Sequence, residues 1–132
     1  MKALDANVLV RFLTVDDERQ ARRAHALLER AEADGRPLFV ADVVLLELIW
    51  VLSAVYEYER GEVRSALEAM AQMPALKFED ADRLHRVIDQ GRRGPAGLAD
   101  LLIGLTARSR GCGSTLTFDR AAGKSELFEM IG

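Results

Sequence analysis

Two rhythms of apolar and polar positions run along the chain. Ala21, Ala24, Leu27, Leu28 and Ala31 recur at three- and four-residue steps among charged residues, which predicts one stripe of a helix over residues 17–33. Thr14 and Asp17 read as its capping box, and Gly35-Arg36-Pro37 as its stop. The same spacing through Val63, Leu67 and Met70, and through Leu84, Val87 and Ile88, predicts helices over 62–73 and from Asp80 to Gly91. More continuously apolar helices are expected over 8–13, from an Asp42 N-cap to about Tyr56, and over 99–110. Short apolar runs at 2–4, 38–40, 75–78 and 114–117 read as strands, and 127–131 as a short helix or a last strand.

Strands separated by helices favour an α/β fold, a short and mainly parallel sheet flanked by helices. No repeat, low-complexity tract or long linker interrupts the 132 residues, so one domain over 1–132 is expected. The most loop-like stretch is Gly91-Arg92-Arg93-Gly94-Pro95-Ala96-Gly97.

Four acids stand out against this pattern. Glu47 is the one non-apolar position between Val43 and Leu52, flanked at helical spacing by Val43, Val44, Trp50 and Val51. A helix apolar all round is expected to be buried, and a buried carboxylate is costly unless it is paired or functional. The alternatives are a Glu pointing to solvent or one paired with a buried Arg. Asp5 and Asp119 stand at the carboxyl ends of expected strands, where parallel α/β folds bind ligands. Asp100 opens an apolar helical segment directly after the Gly/Pro-rich loop. Capping or turn roles are the alternatives for these three. Four clustered carboxylates repel unless a cation intervenes, so a shared site implies a divalent metal.

Composition agrees with that chemistry. Two histidines and one cysteine cannot build a zinc site, which leaves oxygen ligands and hence Mg²⁺ or Mn²⁺. His25 and His85 are read as surface or structurally satisfied residues, and Cys112 as a packed turn residue that agrees with a reducing cytosol. The net charge of −3 becomes weakly positive once the four acids are set aside, so it does not exclude a nucleic-acid partner. No apolar run reaches the ~20 residues of a membrane span, and a cytoplasmic location is expected. Arg92 and Arg93, beside the loop before Asp100, are the favoured phosphate contacts among the basic residues.

The segments Leu4-Asp5-Ala6-Asn7-Val8-Leu9-Val10-Arg11, the Glu47 helix, Leu98-Ala99-Asp100-Leu101-Leu102-Ile103 and Leu116-Thr117-Phe118-Asp119-Arg120 resemble, in order and spacing, PIN-domain ribonucleases of the VapC toxin type. The resemblance implies a sheet sandwiched between helices and Mg²⁺- or Mn²⁺-dependent cleavage of RNA. It implies Asp5, Glu47 and Asp100 as metal ligands, Asp119 completing the pocket, and Asn7 and Thr117 as accessory polar groups. It further implies a homodimer and a small antitoxin that covers the active-site groove. Gly97 departs from the pattern, because relatives often carry an acid three residues before the Asp100 position; one resident metal is the expectation. Outside the resemblance stand a haloacid dehalogenase-like phosphatase, whose second Asp is here Asn7, and a non-catalytic module whose acids only cap helices.

Overall fold

The computed structural model describes Met1–Gly132. Its backbone groups into two compact units, Met1–Ala81 and Asp82–Gly132. The first contains α1 (Ala6–Leu13), α2 (Glu18–Ala33), β1 (Leu38–Val40), α3 (Asp42–Ala54), α4 (Arg60–Ala71) and β2 (Leu76–Phe78). The second contains α5 (Ala81–Arg93, whose first residue closes the first unit), α6 (Leu98–Ser109), β3 (Thr115–Thr117), a 3-10 turn at Ala122–Lys124 and β4 (Phe128–Met130). The α/β class is as expected, and every strand pairing is parallel: β1 with β2, and β3 with β4.

In the first unit α2 buries Ala21, Ala24, Leu28 and Ala31, while Leu27 stays 40% exposed at the margin of the stripe. Asp17 caps the helix by accepting from the Gln20 backbone N–H at 3.0 Å. Thr14 is no part of that cap. Its hydroxyl turns back to the Val10 carbonyl, 2.8 Å away, and to Asp16, the local bonding in which threonine competes with the helix backbone. The expected strand at 2–4 shrinks to one parallel bridge between Ala3 and Phe39, held by bonds from Leu4 N–H to Phe39 O and from Phe39 N–H to Lys2 O.

Helix α3 corrects an expectation. It buries Leu45, Leu48, Ile49 and Leu52, one face at steps of three and four. Val43, Glu47 and Trp50 share the opposite face and are exposed, Trp50 to 62%. An all-apolar string hides which face turns inward; the 3.6-residue period then places Glu47 in solvent rather than in the core. Asp42 is the first residue of this helix and Ala41 its N-cap.

In the second unit Val87, Leu101, Leu102, Leu105 and Leu127 form the apolar centre. Full burial of each leucine is worth about 1.5–3 kcal/mol relative to exposure. Gly91 does not close α5, which runs on to Arg93. A Cβ at Gly91 would collide with Leu98, so its missing side chain serves close approach of α6 rather than chain termination. The tail is a strand, β4, preceded by a 3-10 turn that no periodic pattern marks. Cys112 is free and exposed, not packed. No helix is long and apolar enough to cross a membrane.

Candidate functional site

Each proposed acid has a definite local setting. Asp5 occupies the N-cap position of α1, yet its side chain accepts no hydrogen bond from the helix. The capping role that sequence alone allows it is therefore not taken up, and its carboxylate is exposed. Glu47 projects from the exposed face of α3. Asn7, also exposed, lines a shallow cavity of about 290 Å³ between α1 and α2, together with Val8, Arg11 and Leu27.

The second unit brings two of the acids together. Asp100 lies in the first turn of α6, whose N-cap is Gly97, so it is not the cap either. Burial raises the Asp100 carboxyl above the usual aspartate range, and the neighbouring charge of Asp119 raises it further. Both causes oppose the ionised form. Gly97 shapes the same corner: a Cβ there would stand 3.2 Å from Asp100 Oδ2.

Asp119 follows β3 and is held from two sides. Its own N–H donates to Thr117 Oγ1 at 3.0 Å, and its Oδ2 accepts from the Ala122 N–H at 2.8 Å. One oxygen thus fastens the turn into the 3-10 segment, and Thr117 fixes the backbone that presents the carboxylate. No group of three or more His, Cys, Asp or Glu is arranged to hold a metal ion, so the four acids expected to share one site are not gathered into a cluster; Asp119 is the charged neighbour that acts on Asp100. Hard carboxylate oxygens suit Mg²⁺ or Mn²⁺.

Arg92 and Arg93 separate. Both are exposed at the end of α5, and Arg93 pairs with Asp89 at 3.3 Å and lines a cavity from which Arg92 is absent. The histidines are as expected: the His25 ring lies 4.4 Å from Phe12 with Nε2 3.1 Å from its carbonyl oxygen, and His85 is exposed. Tyr56 is a residue whose role the sequence concealed. Its hydroxyl donates to Asp16 at 2.8 Å and accepts from Arg11 at 3.2 Å, in a cluster that ties the α1–α2 turn to the end of α3.

A protein named "VapC ribonuclease", from Aquifex aeolicus (strain VF5), is 25% identical over 120 residues, spanning 91% of this chain and 88% of that protein. No solved structure matches. The PIN domain family model matches residues 2–124, nearly the whole chain and all four acids, and the chain therefore belongs to the PIN-domain family.

Proposed function

We propose that this protein is a metal-dependent endoribonuclease, the toxin of a VapBC-type pair, with Asp5, Glu47, Asp100 and Asp119 as catalytic acids and metal ligands. The observation that carries this reading is the PIN-domain match over residues 2–124, which spans all four acids; within it, burial and then the charge of Asp119 push the Asp100 carboxyl upward. Carboxyls shifted in this direction gather at functional sites, and Asp119 fastens a turn as well. Family membership and the likeness to a VapC ribonuclease support RNA as the substrate. They also favour this reading over a haloacid dehalogenase-like phosphatase.

Mg²⁺ or Mn²⁺, held by these carboxylates, would lower the pKa of a bound water and offset charge developing on the phosphodiester. The chain's own part is to present oxygen ligands in a fixed array. Thr117 and the Ala122 N–H hold Asp119 in place, and Gly97 leaves room for the Asp100 carboxylate. Asn7 is an accessory polar group, and Arg92 and Arg93 contact RNA phosphates. Residues 1–132 act as one nuclease domain, in the cytoplasm, as a homodimer restrained by a small antitoxin. The exposed α3 face carrying Val43 and Trp50 is the kind of apolar surface that such partners cover.

Incubation of the purified protein with a structured RNA tests this. Cleavage is expected with Mg²⁺ or Mn²⁺ and not with chelator. Activity that survives excess chelator removes the metal role. No cleavage under either condition, with no metal-dependent change in melting, favours the non-catalytic module.

A further inference from the structure

Two aromatic rings of the chain are exposed, Trp50 to 62% and Phe118 to 77%. The others are buried or half-buried. Phe12 is further engaged by the His25 ring, and Tyr56 and Tyr58 by hydrogen bonds from their hydroxyls. Both open rings neighbour a proposed catalytic acid. Phe118 directly precedes Asp119 in the second unit, and Trp50 lies three residues beyond Glu47 on α3. Residues three apart on a helix are surface neighbours, with Cβ atoms about 5–6 Å apart. Trp50 and Glu47 share the exposed face of α3, opposite the buried Leu45, Leu48, Ile49 and Leu52. The indole therefore stands one turn along from the carboxylate. No other ring packs on it, since the one ring contact in the chain joins Phe12 to His25.

An open indole suits two kinds of partner, an apolar protein surface or the flat face of a nucleic-acid base. Glu47 decides between them. It stands between Val43 and Trp50 along the exposed face, and the centre of a protein interface is depleted of charge. A protein seated there must answer that carboxylate, whereas a base needs only one face of the ring. The carboxylate then stays free to hold a metal against the phosphate. We infer that Trp50 is a stacking platform for one unpaired base of the RNA, beside the phosphate at the Glu47 end of the site. The inference rests on the ribonuclease reading, with Glu47 as a metal ligand, and adds what grips the substrate next to that ligand. Every base has a π-face, so Trp50 contributes affinity for single strands rather than sequence choice. A paired and stacked duplex offers it no free base. A restraining partner on the same face would compete with the base for the ring.

Trp50 is the only tryptophan, so indole fluorescence reports on this position alone. The test mixes the full chain, with Mg²⁺, in stopped flow against a short single-stranded RNA. An abasic strand of the same length and an RNA duplex serve as parallel probes. The single strand is expected to quench the indole before cleavage begins. The abasic strand, with the same phosphates and no bases, and the duplex are expected to leave it unquenched. Trp50→Ala, altered at an exposed position, should melt as wild type does and raise KM for single-stranded RNA at least about fivefold. Its effect falls on KM rather than kcat, because stacking holds substrate and transition state alike. Trp50→Phe, which keeps a ring, should recover most of the loss. RNA cleavage by a wild type whose indole is not quenched, or by Trp50→Ala with an unchanged KM, overturns the inference and leaves the nuclease reading standing. Equal quenching by the abasic strand also overturns it. So does an indole shielded in a dimer that Trp50→Ala dissolves, which assigns the face to a second copy of the chain. Quenching by the single strand alone, with no RNA cleavage under any metal, upholds the platform and defeats the nuclease reading instead.

Discussion

Asp16 and Asp100 are both aspartates near helix starts, and their surroundings treat them in opposite ways. Asp16 accepts from Tyr56, Thr14 and Arg11, and the Tyr56 bond, with help from Thr14 and Arg11, outweighs desolvation and lowers its pKa. Asp100 is partly desolvated and faces another carboxylate, and its pKa is raised. The first arrangement is a clasp that stabilises the fold by using the ionised form. The second disfavours the ionised form, a cost that the proposed metal would offset when bound. Direction of shift, more than the presence of an acid, separates the carboxylate of the clasp from the one proposed as a metal ligand.

The largest expected effect breaks the functional side. Asp100→Asn should lower RNA cleavage by at least about a hundredfold, since it removes a charged ligand at nearly constant volume. It should also raise the melting temperature of the metal-free protein at neutral pH. Because the folded carboxyl holds its proton more tightly than the unfolded one, wild type loses stability as pH rises from the ordinary aspartate value, about 3.9, towards the raised one. The variant lacks that loss. Melting curves of both proteins across that window check the sign.

Tyr56→Phe breaks the other side. It deletes the hydroxyl that Asp16 and Arg11 share, and should lower the melting temperature by a few degrees near neutral pH. The contribution of Asp16 is present above the ordinary aspartate value and lost as pH falls through the lowered folded value. The gap between variant and wild type should therefore narrow on acidification. RNA cleavage should stay close to wild type. A gap that widens in acid would remove the clasp.

Gly97→Ala probes the functional carboxylate more gently. The Gly97 backbone, at φ −60° and ψ 147°, accepts alanine without strain, but the new Cβ must push Asp100 Oδ2 by a few tenths of an ångström. A several-fold fall in cleavage with little change in melting is expected, in keeping with the sensitivity of catalysis to small displacements. Glu47→Gln should reduce cleavage as Asp100→Asn does, both being proposed metal ligands, but its effect on metal-free stability is the smallest of the set. Because it is exposed, Glu47→Gln should change metal-free stability by less than about 0.5 kcal/mol. A loss of several kcal/mol would mean that Glu47 is buried and paired.

The sequence was most informative where one face of an element is polar. The stripe of α2 and its Asp17 cap could be read directly, because charged residues fill the other positions. It was least informative where the string is apolar throughout: α3 has the right residues for burial on every face, and only packing decides that Glu47 turns out. Gly91 misled for a related reason, since a glycine that ends a helix and one that admits a neighbouring Leu98 are written alike. Asp100 and Asp119 could be picked out by position, but their mutual effect depends on a turn that Thr117 and Ala122 build. The Asp16–Tyr56 bond joins residues 40 positions apart, beyond any local pattern.

The contrast between the two aspartates is tested most directly by following the Asp100 side-chain carboxyl by carbon-detected NMR through a pH titration, first metal-free and then saturated with Mg²⁺. A carboxyl that titrates above the usual aspartate range without metal, and drops below it when Mg²⁺ is bound, is the expected result. An ordinary value that Mg²⁺ leaves unchanged would contradict the assignment of Asp100 and Asp119 to a metal site.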